Sequence, residues 1–244
     1  MWWVIIMNNL NIFIICNKQK EPKRFLHSEE QISRHLSNFN IKINYYYHIW
    51  ADEITDDIYK KYCKTDKSMI KHGRNMKIKP LTKGEVSLVL NNVFCLKKIL
   101  KVYKKGYFLV IESDFFLFDN FYKNLEKVVN FIQLRNLNFD IINIGKGFRE
   151  YIKKKELNKI VKTVKIDEEL SLIKTNINCG AEGLLWNIQS AKKFIQNFEK
   201  DNDVNGPWDT ILDTIEYEFK LYWTSFPFLH GLSVTDKNFK SEIH

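Results

Sequence analysis

The chain has 244 residues, of which 45% are apolar and 27% are charged, as in an ordinary soluble globular protein. The formal net charge is +9, but only five of the 38 basic residues are arginine, the side chain best suited to base edges and phosphate pairs. This balance weakens a nucleic-acid-binding interpretation, and we expect no specific nucleic-acid partner.

The cysteines and the N-terminal run bear on the compartment. The run MWWVIIMNNLNIFIIC has no basic segment, and Asn8 and Asn9 divide it into pieces too short to span a bilayer. It predicts no transmembrane segment, although Trp2 and Trp3 leave a peripheral membrane contact open. The scattered cysteines form no C-x-x-C pair, which argues against a zinc ribbon or a disulfide framework and favours a reducing, cytoplasmic location. They are Cys16, Cys63, Cys95 and Cys179.

Apolar runs alternate with segments of helical spacing along the chain. The first half predicts a strand at 10–16, a helix that the capping box SEEQ (28–31) opens and that runs to about Phe39, a strand at 43–50, a polar loop at 65–80, and a helix opened by the capping box of Thr82 and Glu85. The second half predicts a strand at 107–111, a helix at about 119–133, a strand at 139–145, a Lys-rich irregular stretch at 146–170, a strand at 181–186, a helix at 190–198, a helix from Pro207, and a closing segment at 220–231.

This alternation predicts an α/β fold with an open, mostly parallel sheet flanked by helices. We expect one domain covering 1–244, in which 1–9 are a candidate leader and 232–244 a tail.

Two acids interrupt the apolar stretch YFLVIESDFFLFD (107–119). Glu112 and Asp114 stand where a buried strand ends, the place where ligands bind in open α/β sheets. If the chain stays extended there, the two side chains point the same way and offer hard oxygen ligands to Mg²⁺ or Mn²⁺ holding a diphosphate. The alternative is a helix N-cap followed by a surface acid.

Seven segments stand in an order that matches the motifs of one enzyme family: IFIICNKQKEPKR (12–24), LTKGEVS (81–87), VIESD (110–114), DIINIG (140–145), GAEGLLWNIQSAKKFI (180–195), PWDTIL (207–212) and LYWTSFPFL (221–229). They resemble motifs of glycosyltransferase family 25, the family of lipopolysaccharide β-galactosyltransferases and collagen galactosyltransferases. VIESD is similar to the family's Leu-Glu-Asp-Asp strand end, and the chain departs from the family pattern at Ser113 in that motif and at Asn92 and Glu182, where the family has histidines.

The resemblance implies a GT-A fold and transfer of a hexose, galactose or glucose, from a UDP-sugar, with inversion. The acceptor would be a glycan, lipopolysaccharide or a collagen-like hydroxylysine. The implied cofactor is Mn²⁺ or Mg²⁺, and its expected ligands are Asp114, Glu112 and His230.

The resemblance also implies roles for residues around the donor and the acceptor. Asp209 is the expected general base, with Glu182 as the second candidate. Trp208 either stacks on the acceptor sugar or belongs to the core. Contacts to the donor are expected from Asn17, Arg24, Gly84 and Ser113.

Two alternatives stay open. A catalytically degenerate member would bind nucleotide or glycan without turnover, as the departures at Asn92, Ser113 and Glu182 allow. A Lys-rich nucleic-acid binder or a metal-dependent nuclease using Glu112 and Asp114 would not explain the ordered motifs.

Overall fold

The computed structural model describes residues 10–64, 80–146, 160–175, 180–209, 211 and 219–232. The candidate leader, most of the polar loop and nearly all of the tail lie outside these residues, as do Cys179 and most of the helix expected from Pro207.

The described residues form strands and helices in alternation through most of the chain. The strands are β1 (Asn11–Ile15), β2 (Lys42–Tyr46), β3 (Tyr107–Glu112), β4 (Phe115–Leu117), β5 (Ile141–Asn143), β6 (Ile160–Lys165), β7 (Ser171–Thr175), β8 (Gly183–Asn187), β9 (Leu221–Thr224) and β10 (Leu229–Gly231). The helices are α1 (Pro22–Leu36), α2 (Asp56–Tyr62), α3 (Lys83–Val102), α4 (Phe121–Arg135) and α5 (Ile188–Asp201), with a short 3₁₀ turn at Ala51–Glu53.

The fold is α/β, as predicted, but its main sheet is mixed. The strand order is β2-β1-β3-β8-β5-β9-β7-β6, and β4 pairs with β10 in a separate small sheet. β1 is parallel to both β2 and β3, and β5 is parallel to β9. β8 runs antiparallel between β3 and β5, and β7 runs antiparallel between β6 and β9. The start of β8 therefore lies at the same edge as the carboxyl ends of β3 and β5.

Apolar side chains on both faces of the sheet hold the helices in place. Successive residues of β3 alternate between two buried clusters, since Phe108 and Val110 face one and Leu109 and Ile111 face the other. The first cluster contains the apolar side chains of α3 and α5, and the second contains those of α1 and α4. This double burial explains why β3 reads as an unbroken apolar run.

The helix expected to start at Ser28 starts earlier. α1 begins at Pro22, whose fixed φ and missing N–H suit a first helical turn, and it ends at Leu36. Ser28 and Gln31 are buried in the middle of the helix and do not form a capping box. By contrast, the Thr82–Glu85 capping box that opens α3 is confirmed, since each side chain bonds the backbone N–H of the other residue.

Two other expectations change. The strand expected at 43–50 ends at Tyr46, because Asn91 of α3 accepts hydrogen bonds from the N–H groups of His48 and Ile49 and so takes them out of the sheet. The stretch 146–170 contains β6, which pairs with β7.

In the part of the chain that the structure describes, no helix is long and apolar enough to cross a membrane.

Candidate active site

The candidate site lies at the carboxyl edge of the central strands. The backbone N–H of Glu112, the last residue of β3, donates to the carbonyl of Glu182 across the edge (3.3 Å). Ile144, just beyond β5, likewise donates to Gly183 (3.0 Å). These two bonds bring the ends of β3 and β5 beside the residue that precedes β8. The antiparallel β8 thus delivers Glu182 to the edge where the predicted acids stand.

Acids from separate segments act on one another at this edge. Burial is the largest cause that raises the pKa of Glu112 well above its ordinary value. The negative charges of Asp114, Glu182 and Asp209 raise that pKa further, in decreasing order, and the positive charge of Arg24 lowers it. We call Glu112, Asp114, Glu182 and Asp209 the acidic cluster.

Glu112 lies in a largely buried position among like charges. Its side chain keeps some accessible surface, yet burial dominates the shift of its pKa. A carboxylate so placed among like charges is stabilised by a proton or by a cation. The acidic cluster is therefore expected to attract positive charge.

Asp114 is held between two segments, and its carboxylate faces a glycine. The side chain is 2% exposed, and its carbonyl accepts the N–H of Leu232 at 2.8 Å. A Cβ added at Gly231 would lie 3.5 Å from Asp114 Oδ2 and 3.3 Å from Glu182 Cγ. The missing side chain at Gly231 therefore keeps the space beside both acids clear.

Asn143 and Gly145 shape the other side of the acidic cluster. Asn143 Oδ1 accepts the N–H of Gly145 (2.9 Å), and its Nδ2 donates to the carbonyl of Gly180 (2.8 Å). A Cβ at Gly145 would collide with Glu182 Oε2. The end of β5 and the segment before β8 are thus joined around the Glu182 carboxylate.

The turn after β1 and the first turn of α1 lie near the acids, and α1 supplies the positive charge. Asn17 is buried, and its Oδ1 accepts the N–H groups of Gln19 (3.1 Å) and Lys20 (3.2 Å). Arg24 Nη1 lies 3.0 Å from Glu21 Oε1, with side chains that are 16% and 7% exposed. The structure brings the charge of Arg24 to the acidic cluster, whereas the Asn17 oxygen is used within its own turn. A donor contact from either residue stays a prediction.

The other predicted residues lie around this centre. The ring of His230 packs 5.5 Å from Phe116 and 5.7 Å from Phe118, measured between centroids. His230 and Gly231 are neighbours in β10, so their side-chain directions are opposite, and Gly231 is the one that faces the acids. Gly84 is buried in the first turn of α3. The roles of His230 and Gly84 stay predictions.

Trp208 belongs to the core. It is 1% exposed, and its ring lies 6.4 Å from Trp186 and 5.7 Å from Phe194. Of the two interpretations of this residue, stacking on a sugar is excluded in this conformation. The buried indole instead fixes the backbone next to Asp209.

The residues present fit a divalent cation shared with a substrate. Within the described part of the chain, no group of three or more His, Cys, Asp or Glu side chains is arranged to hold a metal ion. Mg²⁺-like ions in phosphate sites, however, take one or two carboxylates and complete their shell with phosphate oxygens and water. Ser113 and Asp114 form a turn after β3, so the chain does not stay extended there. Glu112 and Asp114, which lies beside Gly231, nevertheless supply two carboxylates whose charges act on each other.

Sequence patterns assigned no role at the site to Asn143, Gly145 or Ser28. Asn143 ends β5, and Gly145 lies two residues beyond it. Ligand-binding residues are expected at such a strand end, so their position in the sequence could have indicated a role. The hydroxyl of Ser28 bonds the carbonyl of Ser113, which is distant in sequence, and no local pattern could reveal it.

Comparison with models of known protein families finds no match for this chain. Comparison with curated proteins finds none either. The geometry of the acidic cluster is therefore what supports a function.

Proposed function

We propose that this chain is a metal-dependent glycosyltransferase that moves a hexose from a UDP-sugar to a hydroxyl of a glycan, a lipopolysaccharide or a collagen-like acceptor. The proposal includes a GT-A type of fold and a reducing, cytoplasmic location. The observation that carries it is the convergence of four acids from three separate segments near the carboxyl edge of the sheet, with Arg24 as the nearby cation.

A negatively charged diphosphate does not enter an acidic site unless a cation comes with it. Asp114 and Glu112 would hold that cation together with the diphosphate. When bound, the metal supplies charge neutralisation of the UDP leaving group as the sugar C1–O bond breaks. Arg24, which is paired with Glu21, adds a positive charge that also acts on Glu112.

The acceptor hydroxyl needs a group that takes its proton as it attacks C1. Asp209 is our first candidate, because its charge reaches Glu112 and its backbone is fixed by the buried Trp208. Glu182 is the second candidate, held between Gly145 and Gly231. Inverting transfer requires the base on the face of the sugar opposite the diphosphate.

The direct test measures UDP release from a panel of UDP-sugars with Mn²⁺ and with a chelator. We expect slow hydrolysis of one sugar by the wild type with Mn²⁺, and a loss of at least about 100-fold in Asp114→Asn. Asp119→Asn is the matched control, since Asp119 is exposed and does not contribute to the raised pKa of Glu112.

The outcomes separate the alternatives. If no sugar is released but UDP with Mn²⁺ raises the melting temperature of the wild type and not that of Asp114→Asn, the chain is a binding protein of this class without turnover. If neither effect appears, the acidic cluster is not a metal–nucleotide site and the proposed function is wrong.

A further inference from the structure

One face of α1 is bonded to the backbone that carries Asp114. Ser28 Oγ donates to the carbonyl of Ser113 (3.0 Å), and His27 Nε2 lies 2.8 Å from the carbonyl of Phe115. Further along the same face, the Oε1 atom of Gln31 accepts the N–H of Leu117 (2.9 Å). The three side chains bond alternate residues of one short stretch.

The spacing of these side chains explains why they act together. His27 and Gln31 are four residues apart in α1 and so lie one above the other on the same face, with Ser28 beside them. Ser28 is 0% exposed, and its Oγ also lies 2.8 Å from the carbonyl of Arg24, so its single proton is shared between the carbonyls of Arg24 and Ser113. We call the turn at Ser113 and Asp114 the acidic turn. The hydroxyl of Ser28 therefore joins the acidic turn to the first turn of α1, which carries Arg24.

Asp114 is also tied from the opposite side. Its carbonyl accepts the N–H of Leu232, just beyond β10, while the residues on either side of it are bonded to α1. With both flanks fixed, the backbone of Asp114 has little freedom to rotate, and the direction of its carboxylate towards Gly231 follows from these bonds.

We propose that His27, Ser28 and Gln31 are positioning residues, which through α1 set the direction of the Asp114 carboxylate. The catalytic importance of this positioning rests on the proposed function. The rigidity of the acidic turn does not, and it can be measured by itself. The rigidity comes from the hydrogen bonds between the acidic turn and α1, so neither segment has it without the other.

The test compares two replacements of His27, which is only partly buried and so tolerates change better than Ser28. His27→Leu removes the ring nitrogen that bonds Phe115. His27→Gln keeps an amide nitrogen that can donate from nearly the same place. His35→Leu is the matched control, because His35 lies on the same helix and its Nε2 atom has no hydrogen-bond partner in the described residues.

The first readout is amide hydrogen exchange in the full chain without ligand. We expect His27→Leu to speed exchange of the Leu232 amide at least about tenfold, since that amide bonds Asp114 and does not touch His27. Exchange in the β3–β8 ladder should stay unchanged, and His27→Gln and His35→Leu should resemble the wild type. Equal acceleration everywhere, or none at Leu232, overturns the inference.

The second readout is binding of Mn²⁺ with UDP, followed by calorimetry. Residues that orient a metal ligand typically change affinity by about 10- to 100-fold, and we expect a loss in this range for His27→Leu with recovery in His27→Gln. If the wild type binds neither Mn²⁺ nor UDP, the proposed function fails. Amide exchange at Leu232 then decides by itself whether the inference holds. If the wild type binds both while His27→Leu leaves exchange and affinity unchanged, the inference fails and the proposed function stands.

Discussion

Replacing Glu112 by glutamine is expected to stabilise the folded chain at neutral pH, although it removes a candidate metal ligand. The pKa of Glu112 in the folded chain is raised, first by burial and then by the neighbouring acids, above the value of about 4.3 that glutamate has when unfolded. Folding therefore favours the protonated side chain. Glutamine has nearly the same shape and never ionises.

The sign and size of the effect follow from proton linkage. Below the unfolded pKa both states hold the proton, and the contribution of Glu112 to stability is fully present. As the pH rises, the unfolded chain loses the proton first, and the free energy of unfolding falls by up to about 1.4 kcal/mol per pH unit until the pH reaches the folded pKa. Because Glu112 keeps some accessible surface, screening by solvent reduces the pKa shift and so narrows the pH range over which the free energy of unfolding falls.

The assay is urea unfolding at a series of pH values from 4 to 8, without divalent metal. The free energy of unfolding of Glu112→Gln minus that of the wild type should increase with pH and then level off. The same difference in free energy of unfolding, measured for Glu30→Gln at an exposed position of α1, should change little with pH. With Mn²⁺ and UDP present, the extra stability of Glu112→Gln over the wild type should decrease. A difference that is independent of pH, or that falls as the pH rises, would refute the electrostatic account of the acidic cluster.

Other changes test the packing around the site. Gly145→Ala places a Cβ against Glu182 Oε2, so the half-buried carboxylate should turn away. We expect UDP release to fall by about 100-fold while the melting temperature shifts by only a few degrees. A large drop in melting temperature would contradict this expectation. Trp208→Ala should lower the free energy of unfolding by about 3–5 kcal/mol in urea titrations, whereas a change in acceptor KM with unchanged stability would favour a sugar contact. Burial raises the pKa values of Cys16 and Cys95 to about 12, so both thiols should react with iodoacetamide at pH 8 only after unfolding, as mass spectrometry would detect.

Local sequence patterns predicted the parts of the fold that local interactions decide. The capping box of Thr82 and Glu85 closes within one helical turn, and α3 begins where the pattern placed it. The same pattern at Ser28 failed, because the hydroxyl and the amide of Gln31 bond the segment after β3 and α1 starts at Pro22. A buried serine looks like a cap in sequence when its partner is distant.

The direction of a strand is a second property that local patterns do not contain. The apolar run at 183–187 predicts a buried strand whichever way it runs. In the structure it is antiparallel to β3 and β5, and for that reason Glu182, which precedes it, meets Glu112, the last residue of β3. Local sequence patterns could thus place Glu112 and Asp114 at the carboxyl edge of the sheet, but they could not place Glu182 beside them.

Under the proposed function, the three positions at which the chain departs from the pattern it resembles have different surroundings. Asn92 is buried in α3, where its amide donates to the carbonyl of Leu88, and the carbonyl of Ser113 accepts a hydrogen bond from Ser28. These contacts belong to the packing of the fold. Glu182 differs, because it adds a negative charge where the family has a group that can be neutral or positive, and that charge raises the pKa of Glu112. The choice between a turning-over enzyme and a degenerate binding protein therefore depends on Glu182, and on whether a bound cation compensates its charge.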